Sequence, residues 1–188
     1  MKSHIDILTN LLFPPQSELE FYVTKRNILP QMNSIIKKME IYLRNFRESL
    51  KNLTEDSLSD LEYDLIQILG VGEGSTPISD DFLIGILSAI YITAPNILEK
   101  YTLISKFPFQ RYTTFKSAQL IRKVLLQEMP NELFRFLNVL KTPLASKKSI
   151  NQFEREINRV KSIGVSSGYY FLFGILWELK FSLNSMNK

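Results

Sequence analysis

The run Gly70-Val71-Gly72-Glu73-Gly74-Ser75-Thr76-Pro77-Ile78-Ser79-Asp80-Asp81 concentrates the residue types that could do chemistry. Its alternating glycines open a backbone path that other residues follow only under strain. Such a path can aim several amide N–H groups at one anion. Thr76 followed by Pro77 reads as an N-cap and first helical residue, with Ser79 as an alternative cap. In either register the N–H groups of a helix start face the loop, where phosphate or carboxylate binds well. Asp80 and Asp81 fall in the first turn. They either complement the positive helix end, or at least one of them holds a metal ion, a basic side chain or a substrate amine. Neighbouring side chains on a helix project about 100° apart. One aspartate is therefore expected to cap or pair inside the protein while the other faces a pocket. The run lacks the Gly-Lys-Ser/Thr ending of a Walker A loop and follows no strand. From the residues alone, an anion site and a tight interhelix turn both remain open.

The elements that must position this run are helical. Ile35, Ile36, Met39, Tyr42, Leu43, Phe46 and Leu50 recur at spacings of three and four, which predicts a helix over about 31–52. A second helix is expected over 54–69, with Thr54 as N-cap, Glu55 and Asp56 in its first turn and Gly70 at its end. Residues 80–92 read as a buried helix stopped by Pro95. Amphipathic helices follow over 111–128 and 131–141, a charged one over 149–161 and an apolar one over 167–183. Residues 1–30, broken at Pro14-Pro15 and closed by Pro30, form an N-terminal arm whose pieces at 4–13 and 18–29 read equally as strand or helix. The fold class is all-α, with residues 31–188 as the helical domain.

One pattern occurs twice. Phe82-Leu83-Ile84-Gly85-Ile86-Leu87 matches Phe171-Leu172-Phe173-Gly174-Ile175-Leu176, and each follows a hydroxyl-rich turn, so the domain contains a pseudo-repeated loop–helix unit. A glycine inside a helix costs about 1 kcal/mol against alanine. Two at matching places predict that the helices cross at Gly85 and Gly174 and bring their loops together.

Composition narrows the function classes. The 188 residues contain no cysteine, which removes disulfides and thiolate chemistry. The single histidine, His4, leaves little room for a zinc hydrolase or a Ser-His-Asp triad. No metal or cofactor is implied. No run of about 18 uncharged apolar residues suggests a membrane span, and the N-terminus does not resemble a signal peptide, so a cytoplasmic location is expected. Residues 1–100 carry 9 Lys/Arg against 14 Asp/Glu, and residues 101–188 carry 14 against 5. The basic half fits solvated helix faces, an acidic partner or an anionic substrate. Lys147, Lys148, Arg155, Arg159 and Lys161 could line up for nucleic acid, the least favoured partner.

The motif Gly-x-Gly-x-Gly-x-Thr-Pro-x-x-Asp-Asp-Phe-Leu-x-Gly, from Gly70 to Gly85, resembles the signature of the AllH-like family, a bacterial family that includes the AllH subunit of oxamate carbamoyltransferase. The usual family pattern is Gly-Leu-Thr-Pro-Ser-Gly-Asp-Asp. This chain keeps Gly74, Thr76, Pro77, Asp80 and Asp81, and places Ser75, Ile78 and Ser79 at the other positions. Arg111-Tyr112-Thr113-Thr114-Phe115-Lys116-Ser117-Ala118 resembles the family's Thr-rich stretch. Gly164-Val165-Ser166-Ser167-Gly168 resembles its later Gly-x-Thr-Ser-Gly turn, with Tyr170 where the family commonly has an aspartate. The likeness spans roughly residues 60–183.

The resemblance implies participation in carbamoyl transfer, with carbamoyl phosphate, phosphate or a similar small anion as ligand and other protein subunits as partners. A helix N-terminus with glycine amides suits the phosphate. A basic side chain would stabilise charge on it as it leaves. On this reading the candidate catalytic residues are Asp80, Asp81 and Arg111, with Lys116 as a second cation. The candidate ligand-binding residues are Gly72, Gly74, Thr76, Ser79, Thr113, Thr114, Ser117, Ser166, Ser167 and Gly168. The substitutions at Ile78, Ser79 and Tyr170 leave a second reading open, a non-catalytic partner subunit that keeps the fold.

Overall fold

A computed structural model describes residues 2–12, 28–54 and 57–186. Among these residues the chain is all-α. Its α-helices are α1 (Lys2–Leu12), α2 (Ile28–Lys51), α3 (Leu58–Ile68), α4 (Ile78–Thr93), α5 (Tyr101–Ser105), α6 (Phe115–Leu125), α7 (Asn131–Leu140), α8 (Lys147–Lys161) and α9 (Ser167–Met186). Short 3-10 turns at Pro95–Lys100 and Phe109–Arg111 link α4 to α5 and α5 to α6.

The core is built on α4 and α9, which pack along each other. Every residue of α4 from Ile78 to Ile90 is buried, as expected of a helix that is apolar all round. The two helices cross at glycines. A Cβ on Gly85 would lie 2.1 Å from the Phe171 carbonyl oxygen, and one on Gly174 would lie 2.0 Å from that of Phe82. Only hydrogen fits at either position. The expected crossing is therefore present, and it sets the N-termini of α4 and α9 side by side.

The outer helices bury single stripes against this pair. α2 packs with α3, α7 with α8, α6 on α4, and α1 and α8 on α9. In α2 the buried residues Met39, Leu43, Phe46 and Leu50 follow the spacing read from sequence. The early segment that read equally as strand or helix is helical in α1, and Ile5, Leu8 and Leu12 join the core. Its His4 donates from Nε2 to the Thr142 carbonyl at 2.9 Å, so the histidine serves packing. The segment 18–29 lies largely outside the described residues.

Helix starts differ from expectation at several places. α2 begins at Ile28 and carries Pro30 in its first turn, where a missing N–H is tolerated, so Pro30 does not close the preceding segment. α3 begins at Leu58, although Thr54 and Ser57 exchange the reciprocal backbone-to-hydroxyl bonds of a capping box at 3.0 and 3.3 Å; Glu55 and Asp56 lie outside the described residues. Pro77, not Thr76 or Ser79, is the N-cap of α4, and no side chain caps it. The expected helix over 111–128 starts only at Phe115, capped by Thr114, because the chain first makes a 3-10 turn ending at Arg111.

Opposite the loop end, α2, α4 and α9 are tied by one buried ion pair. Arg47 and Glu178 are 2% and 0% exposed, and Nε of Arg47 lies 2.8 Å from Oε2 of Glu178. Arg47 Nη2 completes the fork, and the hydroxyls of Thr93 and Ser182 also donate to Glu178. A carboxylate with this many donors is among the few charges that tolerate full burial. No helix among the described residues is long and apolar enough to cross a membrane.

Candidate functional site

The glycine-rich loop leaves α3 at Gly70, whose φ of 74° lies in the left-handed region. A Cβ there would sit 2.5 Å from the Tyr112 carbonyl oxygen, so the position needs glycine for conformation and for space. Three internal bonds then fold the loop back on the start of α4. Gly70 N–H donates to Asp80 Oδ1 at 2.8 Å, Val71 N–H donates to Ser79 Oγ at 2.8 Å, and Ser79 N–H donates to the Val71 carbonyl at 3.0 Å. Ser79, expected as a cap or ligand group, thus has its hydroxyl and its amide both engaged with Val71. The Asp80 and Asp81 amides bond to the Pro77 carbonyl. Of the first amides of α4, the loop takes one, that of Ser79, and the N-cap Pro77 takes two. The outer part of the loop, residues 72–75, is exposed, with φ of 111° at Gly72 and 103° at Gly74. Among the described residues, no acceptor takes its amides.

Two other helix starts close on this loop. Thr114, the N-cap of α6, accepts from Ser117 N–H and donates its hydroxyl to the Ser75 carbonyl at 2.8 Å. Thr113 donates to Asp80 Oδ2. From α9, the Ser167 hydroxyl lies 3.1 Å from the Thr76 hydroxyl, which joins residues 91 positions apart in sequence. Gly168 is buried under the end of α8, with its N–H donating to the Ile163 carbonyl. Ser166 is half-buried beside it. The N-termini of α4, α6 and α9 therefore converge around Thr76, Thr113, Thr114 and Ser167.

The two aspartates divide as their helical spacing requires, and both are fully buried. Asp80 turns inward, held by the Gly70 amide and the Thr113 hydroxyl. Burial pushes its carboxyl above the usual range, while those two donors and the Ser117 and Ser79 hydroxyls pull the other way. Asp81 turns toward α9 and has no hydrogen-bond partner on either oxygen. Burial pushes it up to about 7. The Ser167 and Thr76 hydroxyls flank it and favour its charged form, the charge of Asp80 opposes that form, and the charge of Lys116 favours it. The two hydroxyls nonetheless bond to each other rather than to the carboxyl. Among the described residues no group of three or more metal-ligating side chains stands close enough to hold a metal ion.

The cations are placed differently. Arg111 ends the 3-10 turn exposed to solvent, and no hydrogen bond or ion pair ties it to either aspartate. Lys116 is also exposed, but its charge reaches Asp81. In the basic stripe of α8, Arg159 pairs with Glu156 at 2.6 Å and Lys161 donates to the Leu11 carbonyl. From sequence, Tyr170 marks only a lost carboxylate. Its buried phenol stands by Ser166 and within the field of Asp81, which with burial raises its titration range. The signal was available in its place two residues after Gly168 on the crossing helix.

No curated protein and no solved structure matches the chain. The family described as oxamate carbamoyltransferase subunit AllH matches residues 68–179, a stretch that begins at the last residue of α3 and holds every group of the helix junction. That is more than half of the 188 residues, and the chain belongs to the AllH family.

Proposed function

We propose that this chain binds carbamoyl phosphate, phosphate or a closely similar small anion at the junction of α4, α6 and α9, as one subunit of a carbamoyl-transferring assembly. The observation that carries this reading is the Thr76–Ser167 hydroxyl pair, which bridges two helix N-termini directly beside the exposed loop amides. Helix starts favour negative charge, and hydroxyls and free amides supply directed donors for oxyanion oxygens. Lys116 adds a positive charge at the rim. Thr113 and Thr114 hold α6 against α4 and the loop and Ser117 completes the cap of α6, so they shape the site more than they line it.

A role as binding subunit is favoured over complete catalysis by this chain alone. Arg111, the cation expected to steady the leaving phosphate, is not gathered to the aspartates, and Asp80 and Asp81 are sealed from solvent. A group from a companion subunit then supplies what the cluster lacks. The oxamate carbamoyltransferase association of the family supports the carbamoyl reading.

The test is ligand-induced thermal stabilisation by carbamoyl phosphate and by inorganic phosphate. A ligand at 100 times its Kd stabilises a fold by about 2.7 kcal/mol. The wild-type chain should show the shift, and a Thr76→Val/Ser167→Ala double variant should melt normally without it. No shift at millimolar concentrations of either ligand removes this reading.

A further inference from the structure

We propose that oxyanion binding at the Thr76–Ser167 hydroxyl pair is coupled to uptake of one proton by Asp81, which reverses the direction in which the two hydroxyls donate. The coupling rests on the anion-binding reading of this site and adds its regulation.

The geometry is a bonded hydroxyl pair flanking a buried, unpartnered carboxyl, with one side closed. The Asp81 carboxyl lies inside, fully buried and without a partner. The Ser167 and Thr76 hydroxyls lie against it, bonded to each other at 3.1 Å. The exposed loop lies beyond. Each hydroxyl has one proton to donate. An ionised Asp81 can only accept, so it draws the donors inward: one hydroxyl donates to the other and the second donates to the carboxylate. Only oxygen lone pairs then face outward, and an anion meets lone pairs backed by a buried negative charge. With Asp81 protonated, the carboxyl O–H donates to one hydroxyl, that hydroxyl donates to its partner, and the partner's proton points outward to the anion. One proton enters from solvent, no covalent bond to carbon or phosphorus changes, and one negative charge is removed from beside the ligand.

The surrounding groups leave Asp81 as the member that titrates with the ligand. Asp80, its neighbour on α4, is held by Gly70 and Thr113. From α6, Lys116 contributes positive charge. From α9, Tyr170 has its phenol raised further above the ordinary tyrosine range and stays neutral. Glu73 in the loop is exposed. Arg47 and Glu178 pair at the opposite end of α4, beside Thr93. Lys161 at the end of α8 is turned to Leu11. A carboxyl this deeply buried favours its neutral form, and the direction of its shift agrees.

Sulfate is the suitable probe because its own charge does not change between pH 6 and 9. Isothermal titration of the full chain should show sulfate affinity falling as pH rises, approaching tenfold per pH unit above the titration of Asp81. At pH 8, titrations in two buffers of different ionisation enthalpy should report close to one proton taken up per sulfate. Asp81→Asn, which donates permanently and carries no charge, should bind sulfate with the same affinity at pH 6 and pH 8.5. Wild-type binding that is equally tight at both pH values with no proton uptake overturns the coupling and leaves the anion site standing. A pH response in Asp81→Asn as steep as in the wild type moves the proton to another group and also overturns it. Absence of sulfate, phosphate and carbamoyl phosphate binding at every pH overturns the anion site and the coupling together. Should Asp81→Asn not fold, the proton count on the wild-type chain decides alone.

Discussion

Gly85 and Gly174 face each other across the α4–α9 crossing so closely that a methyl group on either would strike the opposite backbone at about 2 Å. The obstacle is a carbonyl, not the end of a flexible side chain, so the helices themselves must move apart. Overpacking of this kind costs about 1–3 kcal/mol and sometimes more, against about 1 kcal/mol gained by placing alanine in a helix. With a carbonyl oxygen at about 2 Å the upper end of that cost applies, so Gly85→Ala and Gly174→Ala should each destabilise the fold by a net of about 2 kcal/mol in urea denaturation. The double variant should cost less than the sum, because the first methyl already separates the helices.

Ser79 offers a separate test of how the loop is held. Its hydroxyl accepts from the Val71 amide, and its own amide donates to the Val71 carbonyl. Ser79→Ala leaves the Val71 N–H without its acceptor, at a cost of about 1–3 kcal/mol where water cannot reach. Hydrogen exchange at Val71 and Gly70 should accelerate markedly, while the amides of α9 keep their protection. Unchanged exchange at Val71 would show that the loop does not depend on this clamp.

The parts legible from sequence were those written in local spacing. The 3.6-residue period exposed the buried stripe of α2, and the repeated Phe-Leu-x-Gly-Ile-Leu run pointed to the Gly85–Gly174 crossing. The 100° step between Asp80 and Asp81 required them to part, but which one turns inward depends on Thr113, 33 residues away. Thr76 looked like a cap because Thr-Pro commonly starts a helix, yet Pro77 takes the cap position and frees the threonine for Ser167. Arg47–Glu178 spans 131 residues with no local pattern around either partner. Such a pairing is decided only when α2, α4 and α9 pack.

Asp81 should make stability depend on pH in the direction opposite to a salt-bridged carboxylate. Its folded value of about 7 stands above the model-peptide value of 3.8. Between those values the folded chain keeps a proton that the unfolded chain has lost, so stability falls as pH rises and the full penalty is present above about 7. Asp81→Asn removes the penalty. The variant should be more stable than the wild type by up to about 4 kcal/mol at pH 8, narrowing toward parity near pH 4. Denaturation curves at pH 4, 6 and 8 measure the convergence, and a gap that does not change with pH contradicts it.

Arg47 and Glu178 should show the asymmetry of a buried ion pair. Removing one partner strands the other charge away from water, which costs about 3–5 kcal/mol. Glu178→Gln keeps the shape but leaves Arg47 uncompensated, and should be severely destabilising. Arg47→Met with Glu178→Leu replaces both charges, leaving only the Thr93 and Ser182 hydroxyls to find new partners, and should recover most of the loss. A double-mutant cycle in urea built from Arg47→Met, Glu178→Leu and their combination checks this, with equal losses in the single and double variants as the contrary result.

The two candidate cations near the site should separate in a titration. Lys116 lies on the first turn of α6, and its charge favours the ionised form of Asp81. Arg111 is exposed on the preceding 3-10 turn and forms no bond with the cluster. Lys116→Gln therefore removes a positive charge that Asp81 feels, and the midpoint of the carboxyl should move further up. Arg111→Gln should leave the midpoint where it was. Carbon-detected NMR of the Asp81 carboxyl across pH 5–9 reads both directly. The same pair of variants distinguishes the roles in binding, because an exposed lysine at the rim acts through long-range charge and its effect is screened by salt. Lys116→Gln should weaken phosphate binding at low ionic strength, with the difference shrinking as salt is added. If Arg111→Gln moves the Asp81 midpoint and Lys116→Gln does not, the arginine reaches the cluster in solution, and the role of catalytic cation returns to it.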